Sequence, residues 1–168
     1  EFGGFKFHKE GRNQYRKNVY SDFIKIAKYL INKNITESSR LVIYGRSAGG
    51  LLVGNVINME PEICKLAILG VPFVKPYHAM LDKKNPLAFE SHYEFGNPFD
   101  EKEREEIKKY SPYLQVDKEK EYPNIYIFSN LYDSKTPYIE GYSYYHKLKD
   151  CNVFKNNKKD LIYYLNNK

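Results

Sequence analysis

The stretch Arg40–Gly54, RLVIYGRSAGGLLVG, decides the fold. Leu41-Val42-Ile43-Tyr44 is a short apolar run, Gly45-Arg46-Ser47-Ala48-Gly49 is bracketed by glycines, and a small-residue apolar segment follows. That succession predicts a buried strand, a sharp turn and a helix, with Ser47 at the apex. A serine hydroxyl is a poor nucleophile, so a fold that uses one must hold it exposed beside a base and oxyanion donors. A G-x-S-x-G elbow does so on a strained turn where side chains two residues to either side would clash, which calls for Gly45 and Gly49. Ser47 is the candidate nucleophile. The alternative, a glycine-rich turn with an incidental serine, does not account for the strand-like and helix-like flanks.

Working outward, the opening Glu1 to Lys17 reads as a loop, and from Asn18 the pattern turns helical. Val19, Phe23, Ile26, Ala27, Leu30 and Ile31 fall on one predicted face. Beyond the elbow, a helix is expected over Ala48 to Asn58. Leu66 to Leu69 is a continuous apolar run suited to a parallel strand covered on both faces. Pro76 to Pro98 reads as a long, irregular active-site loop region with an apolar cluster at Met80-Leu81 and one short helix. Asp100 to Tyr110, DEKEREEIKKY, places acids early and lysines late, as the dipole of a solvated helix prefers. Asn124 to Ser129 is a third strand of strong β-formers. A helix with Ile139, Tyr142, Tyr145 and Leu148 inward follows, then a polar loop over Asn152 to Lys159, then a fourth strand from Leu161 to Leu165. Strands alternating with helices give an α/β fold, a parallel sheet with helices on both faces, in one domain over 1–168.

The net charge of +6 invites a nucleic-acid partner, but Lys and Arg are interleaved with Asp and Glu along the whole chain. No basic stripe alternates with stacking aromatics, so nucleic acid is not expected. No run of about 18 apolar residues offers a membrane span. Cys64 and Cys151 lack metal or disulfide spacing, and neither a metal nor a cofactor is expected.

A serine hydrolase of this architecture orders its triad Ser, then Asp or Glu, then His. Asp133 stands in the loop after the third strand, at the C-terminal end where a parallel sheet presents functional groups. It is the candidate acid. The base is harder to place. His8 precedes the elbow, His78 and His92 fall between Ser47 and Asp133, and His146 sits inside a predicted helix close after Asp133. His146 is the best placed of the four, yet a histidine beyond Lys168 suits the order better.

Several segments in sequence now carry a resemblance. GRSAGGLLVGNVIN with Pro61-Glu62, then LAILGVPFV, MLD, NPLAFE, EFGNP, YSPY and NLYDSKTPY, with GRNQYRKNVYSDFIKIAKYLI upstream, resemble the prolyl oligopeptidase family, its oligopeptidase B branch above all. The likeness runs from about Phe5 to Lys149. It implies part of an α/β-hydrolase catalytic domain from a cytosolic serine peptidase that acts on short peptides. By motif, Ser47 would be the nucleophile, Asp133 the triad acid and the Ala48 backbone N–H one oxyanion donor. The family's β-propeller, the tyrosine that completes its oxyanion hole and the triad histidine have no counterpart in this sequence.

Oligopeptidase B recognises basic side chains through carboxylates before its W-G-N-P motif. An ungapped match puts Ser91 and Tyr93 at those positions, flanked by Glu90 and Glu94, the candidate substrate-binding acids. Loss of a buried carboxylate should weaken preference for a cation. A serine peptidase is thus the leading expectation. The alternatives are a carboxylesterase or acyl-peptide hydrolase with the same elbow, and a non-catalytic remnant kept as a binding module.

Overall fold

The structure, a computed structural model, describes residues 4–82 and 88–167, except the side chains of Phe89 and Glu90. Four strands, β1 (Val42–Arg46), β2 (Leu66–Gly70), β3 (Asn124–Asn130) and β4 (Leu161–Asn166), form one sheet in the order β1-β2-β3-β4. Every neighbouring pair is parallel, with Ile43 opposite Ala67, Ala67 opposite Ile125 and Ile125 opposite Leu161. The expected α/β architecture is present.

The order steps one strand at a time in one direction, so right-handed crossovers put every connecting helix on the same face. That face holds the core. Ile43, Ala67, Leu69, Ile125 and Ile127 point into it and meet Val53, Val56 and Ile57 of α3 (Ala48–Met59). Tyr144 and Leu148 of α7 (Ile139–Lys149) close the same core at the β3–β4 end. On the opposite face Val42, Tyr44, Ile162 and Tyr164 are each more than half exposed. Their apolar character is what a strand covered on both sides requires, although the described helices cover one side alone.

Preceding the sheet, α1 (Gly4–Glu10) and α2 (Lys17–Asn32) replace part of the expected loop. The buried face of α2 is Tyr20, Ile24 and Ala27, whereas Ile26 of the predicted face is 61% exposed. The rotation follows from Tyr20, which packs with Leu51, Met80, Ile107 and Tyr110 in a second cluster beside α3.

Between β2 and β3 the chain forms α4 (Pro76–Leu81), α5 (Ala88–Phe95) and α6 (Glu101–Lys109). One short helix was expected before α6; the described residues form two. Asp100 caps α6 by accepting from the Glu103 N–H at 3.0 Å, and the acids and lysines lie at the dipole ends that favour them. A last short helix, α8 (Asn152–Lys155), occupies part of the expected polar loop and buries Val153 and Phe154.

Candidate active site

Ser47 joins β1 to α3 with φ 54° and ψ −116°, a conformation costly for a residue with a Cβ and found where surrounding structure enforces it. Its N–H donates to the Gly70 carbonyl at 2.9 Å, and its own carbonyl accepts from the N–H of Gly50 at 2.9 Å and of Phe73 at 3.1 Å. The elbow is thereby anchored to the end of β2 and to the segment after it. The side chain itself is exposed. Ala48 opens α3, so its N–H is among the first donors of the helix, which have no intrahelical acceptor.

The glycines divide their work differently from the motif's usual rationale. A Cβ on Gly45 would lie 2.0 Å from the Gly49 carbonyl oxygen and 2.8 Å from Val53 Cγ2. A Cβ on Gly49 would meet nothing within 4 Å. The second demanding position is Gly50, where a Cβ would stand 2.6 Å from Pro72 Cβ. Gly45→Ala is therefore expected to lower the unfolding free energy by roughly 3 kcal/mol, the upper end for overpacking, because backbone and not a flexible side chain is hit. Gly49→Ala should be neutral or gain about 0.5 kcal/mol from helix propensity. Denaturant midpoints of the two full-length variants would check this; equal midpoints would refute it.

Asp133 follows β3 and lies at the same C-terminal sheet edge as Ser47, with β2 between their strands. Its Oδ1 accepts from the N–H groups of Lys135 and Thr136, each at 2.9 Å. Among the described residues Oδ2 accepts no hydrogen bond. The loop thus fixes the carboxylate through one oxygen and keeps the other open, an arrangement able to orient an imidazole.

The four histidines lie elsewhere. His8 pairs with Glu94, Nε2 to Oε2 at 3.0 Å. His78 packs edge-on against Tyr77 and Tyr113, and burial, followed by the charges of Lys75 and Lys147, holds it below the ordinary histidine range. His92 faces Phe99. His146 is exposed on α7, packed on Tyr142 at 4.4 Å between ring centres. Because α7 starts beside the Asp133 loop and runs back along the sheet, His146 stands about 10 Å down the helix from Ile139. Among the described residues no hydrogen bond, ion pair or ring contact joins a histidine to Ser47 or Asp133.

Of the acids offered for substrate binding, Glu90 lies in α5 but its side chain is outside the described residues. Glu94 has both oxygens engaged: Oε1 accepts from Arg16 Nη1 at 2.8 Å and Oε2 meets His8. Burial raises its carboxyl, but Arg16 and His8 outweigh that and hold it below the usual range. Arg16 is itself clamped over the Phe95 ring at 4.0 Å. A concavity of about 770 Å³ borders this region, lined by Asn13, Tyr15, Phe95 and Glu103, and neither Ser47 nor Asp133 reaches it.

Hydropathy did not point to Glu140. Its side chain is 6% exposed on α7, and Oε2 accepts from the N–H groups of Val74 at 3.0 Å and Lys75 at 2.7 Å. Burial pushes its carboxyl up from 4.5 to about 7, opposed by those two N–H groups and the Lys75 charge. The predicted inward stripe of α7 shifts accordingly: Glu140, Gly141, Tyr144 and Leu148 are buried, and Ile139 and Tyr142 stand out.

Against this geometry the comparisons are unambiguous. The model of the prolyl oligopeptidase family matches residues 1–168. This chain belongs to the prolyl oligopeptidase family. It is 39% identical over 137 residues to Protease 2 of Moraxella lacunata, covering 82% of the chain and 20% of that protein. It is 36% identical over 152 residues to dipeptidyl aminopeptidase BI of Pseudoxanthomonas mexicana, covering 90% and 21%. Oligopeptidase B from Leishmania major superposes with a TM-score of 0.86 at 36% identity over 93% of the chain and 21% of that structure. The chain spans about a fifth of the length of these relatives. Membership supports a peptidase, and the solved relatives place the sheet and helices within the α/β-hydrolase fold.

Proposed function

We propose that this chain carries the nucleophile and the acid of a serine peptidase that hydrolyses short peptides through an acyl-enzyme on Ser47. In this reading Ser47 Oγ attacks the scissile carbonyl, and the Ala48 N–H donates to the oxyanion as it forms. A histidine from outside the 168 residues takes the serine proton and returns it to the leaving amine, oriented by Asp133 Oδ2. The observation that carries this is the conjunction of Ser47, strained and exposed, with a half-engaged Asp133 at the same edge of a parallel sheet. A substrate Lys or Arg would have to displace Arg16 or His8 from Glu94, so selectivity for basic residues is not part of the proposal.

A fluorophosphonate probe on the full-length protein should label Ser47, located by peptide mapping, and a peptide substrate should be turned over alongside its matched ester. Labelling at another residue, or ester turnover alone, would reject the peptidase assignment. The 168 residues by themselves should turn over no peptide. Turnover by them that Ser47→Ala abolishes would instead assign the base to His146.

A further inference from the structure

Glu140 is a buried carboxylate that the proposed chemistry does not use, and it sits at the junction of both functional segments. It lies seven residues after Asp133, at the start of the helix that the Asp133 loop leads into. Its Oε2 accepts from two consecutive N–H groups, Val74 and Lys75, across 66 and 65 residues of sequence. The residue before them, Phe73, donates its N–H to the Ser47 carbonyl. Pro72 lies against the Cα of Gly50, where a Cβ would stand 2.6 Å from it, and its Cδ would be 3.5 Å from a Cβ on Gly141. The preceding Val71 holds φ at 37°, a costly conformation for a β-branched residue. Residues 71–75 are therefore a strained strap wedged between the helix after the nucleophile and the helix after the acid, and Glu140 is its buckle.

We infer that Glu140 is a positioning residue for Ser47, its ionised carboxylate holding the 72–75 strap on which the elbow rests. The role depends on the serine-nucleophile proposal above. Hydrogen bonds from backbone N–H groups to an ionised acceptor are stronger than those to a neutral one, so proton uptake slackens the strap. The charged group that acts on Glu140 among the described residues is Lys75. The Lys75 ammonium lies 5.0 Å over the Tyr113 ring and 3.4 Å from Ser143 Oγ, so it does not neutralise the acid by direct pairing. Lys147, about two turns further along α7, turns to the Tyr113 carbonyl, and Ser129 of β3 lies behind Gly141.

The sign of the linkage separates this role from a structural one. Burial raises the folded-state value of Glu140 above its unfolded 4.5. Its contribution to stability is thus fully present below that value, and it is lost as pH rises through the folded value. Above neutrality the ionised carboxylate costs stability. A charge kept where it weakens the fold points to function.

The test uses the full-length protein and Glu140→Gln, with fluorophosphonate labelling of Ser47 followed from pH 5.5 to 9 and denaturant midpoints at pH 8. The variant should melt at an equal or higher midpoint, yet label about tenfold more slowly at pH 8. On the acid side, the wild-type rate should lose about tenfold more than the variant's, so that the two rates converge by pH 5.5, because proton uptake at Glu140 slackens the strap in the wild type alone. A structural role predicts a lower midpoint and a ratio of the two rates that stays constant with pH, and that result would overturn the inference, as would equal labelling rates in the two proteins at pH 8. Absence of any labelling at Ser47 in the wild type would instead defeat the nucleophile proposal, and the positioning role with it. Should Glu140→Gln fail to fold, amide exchange in the wild type decides. Protection at Val74 and Lys75, corrected for intrinsic rates, should fall about tenfold between pH 8 and pH 6, and constant protection would refute the buckle.

Discussion

Ser47→Ala in the full-length protein is expected to lower turnover of a peptide substrate by about 10⁶-fold, the loss seen when a triad nucleophile is removed and binding with oxyanion stabilisation remains. The strained backbone belongs to the elbow and not to the hydroxyl. Both backbone groups of Ser47 are held by Gly70, Gly50 and Phe73, and those bonds survive truncation of the side chain. The side chain is exposed, so stability should change by less than about 0.5 kcal/mol. Folding stays intact while chemistry disappears. A variant that retained more than about one part in a hundred of wild-type kcat/KM would exclude Ser47 as nucleophile, since the background left without a triad member lies far lower.

Asp133→Asn is expected to lower kcat by about 10⁴-fold with KM little changed. Asn keeps an Oδ1 acceptor for the Lys135 and Thr136 N–H groups, so the loop geometry persists. What changes is the other arm of the side chain, which becomes an N–H₂ donor where an imidazole N–H needs an acceptor. The histidine is then held in the wrong tautomer. Asp133→Ala removes the turn as well and should lose an additional 1 kcal/mol or so of stability, as the deletion of a local side-chain cap does. If Asn and Ala variants were equally active to within a factor of about three of wild type, the acid would have to be sought elsewhere.

The turn at Ser47 and the place of Asp133 after a strand were legible in the sequence because their constraints are local. A strand that turns sharply into a helix leaves its signature in fifteen consecutive residues, Arg40 to Gly54. Asp133 was legible by position, since the end of a parallel strand is set by its own apolar run. Helix faces were less legible. In α2 the sequence ranks Ile26 as inward, but the ring of Tyr20 fills the space beside Leu51 and Met80 and turns the helix about its axis. In α7 the inward stripe contains a carboxylate and a glycine, which hydropathy places outside. Gly141 is inward because β3 approaches within 2.6 Å of where its Cβ would be, at Ser129 Oγ.

Glu94 shows the same limit from the other direction. Its spacing before the G-N-P turn suggested a free acid for substrate. Arg16, 78 residues earlier, had already been brought to 2.8 Å of it by the packing of α2 against the α4–α6 crossover. No sequence window contains both partners.

By itself, then, the sequence determined that the chain is an α/β domain with a strand-turn-helix at Ser47, an aspartate in the loop after the third strand and the motifs of a peptidase family. Those features are written in short range, through alternation, glycine placement and turn chemistry. The tertiary structure decided which glycine the elbow requires against its neighbours, which acid is occupied and which is buried. Each of those outcomes depends on atoms dozens of residues apart meeting at contact distance, and only the packed fold sets that distance.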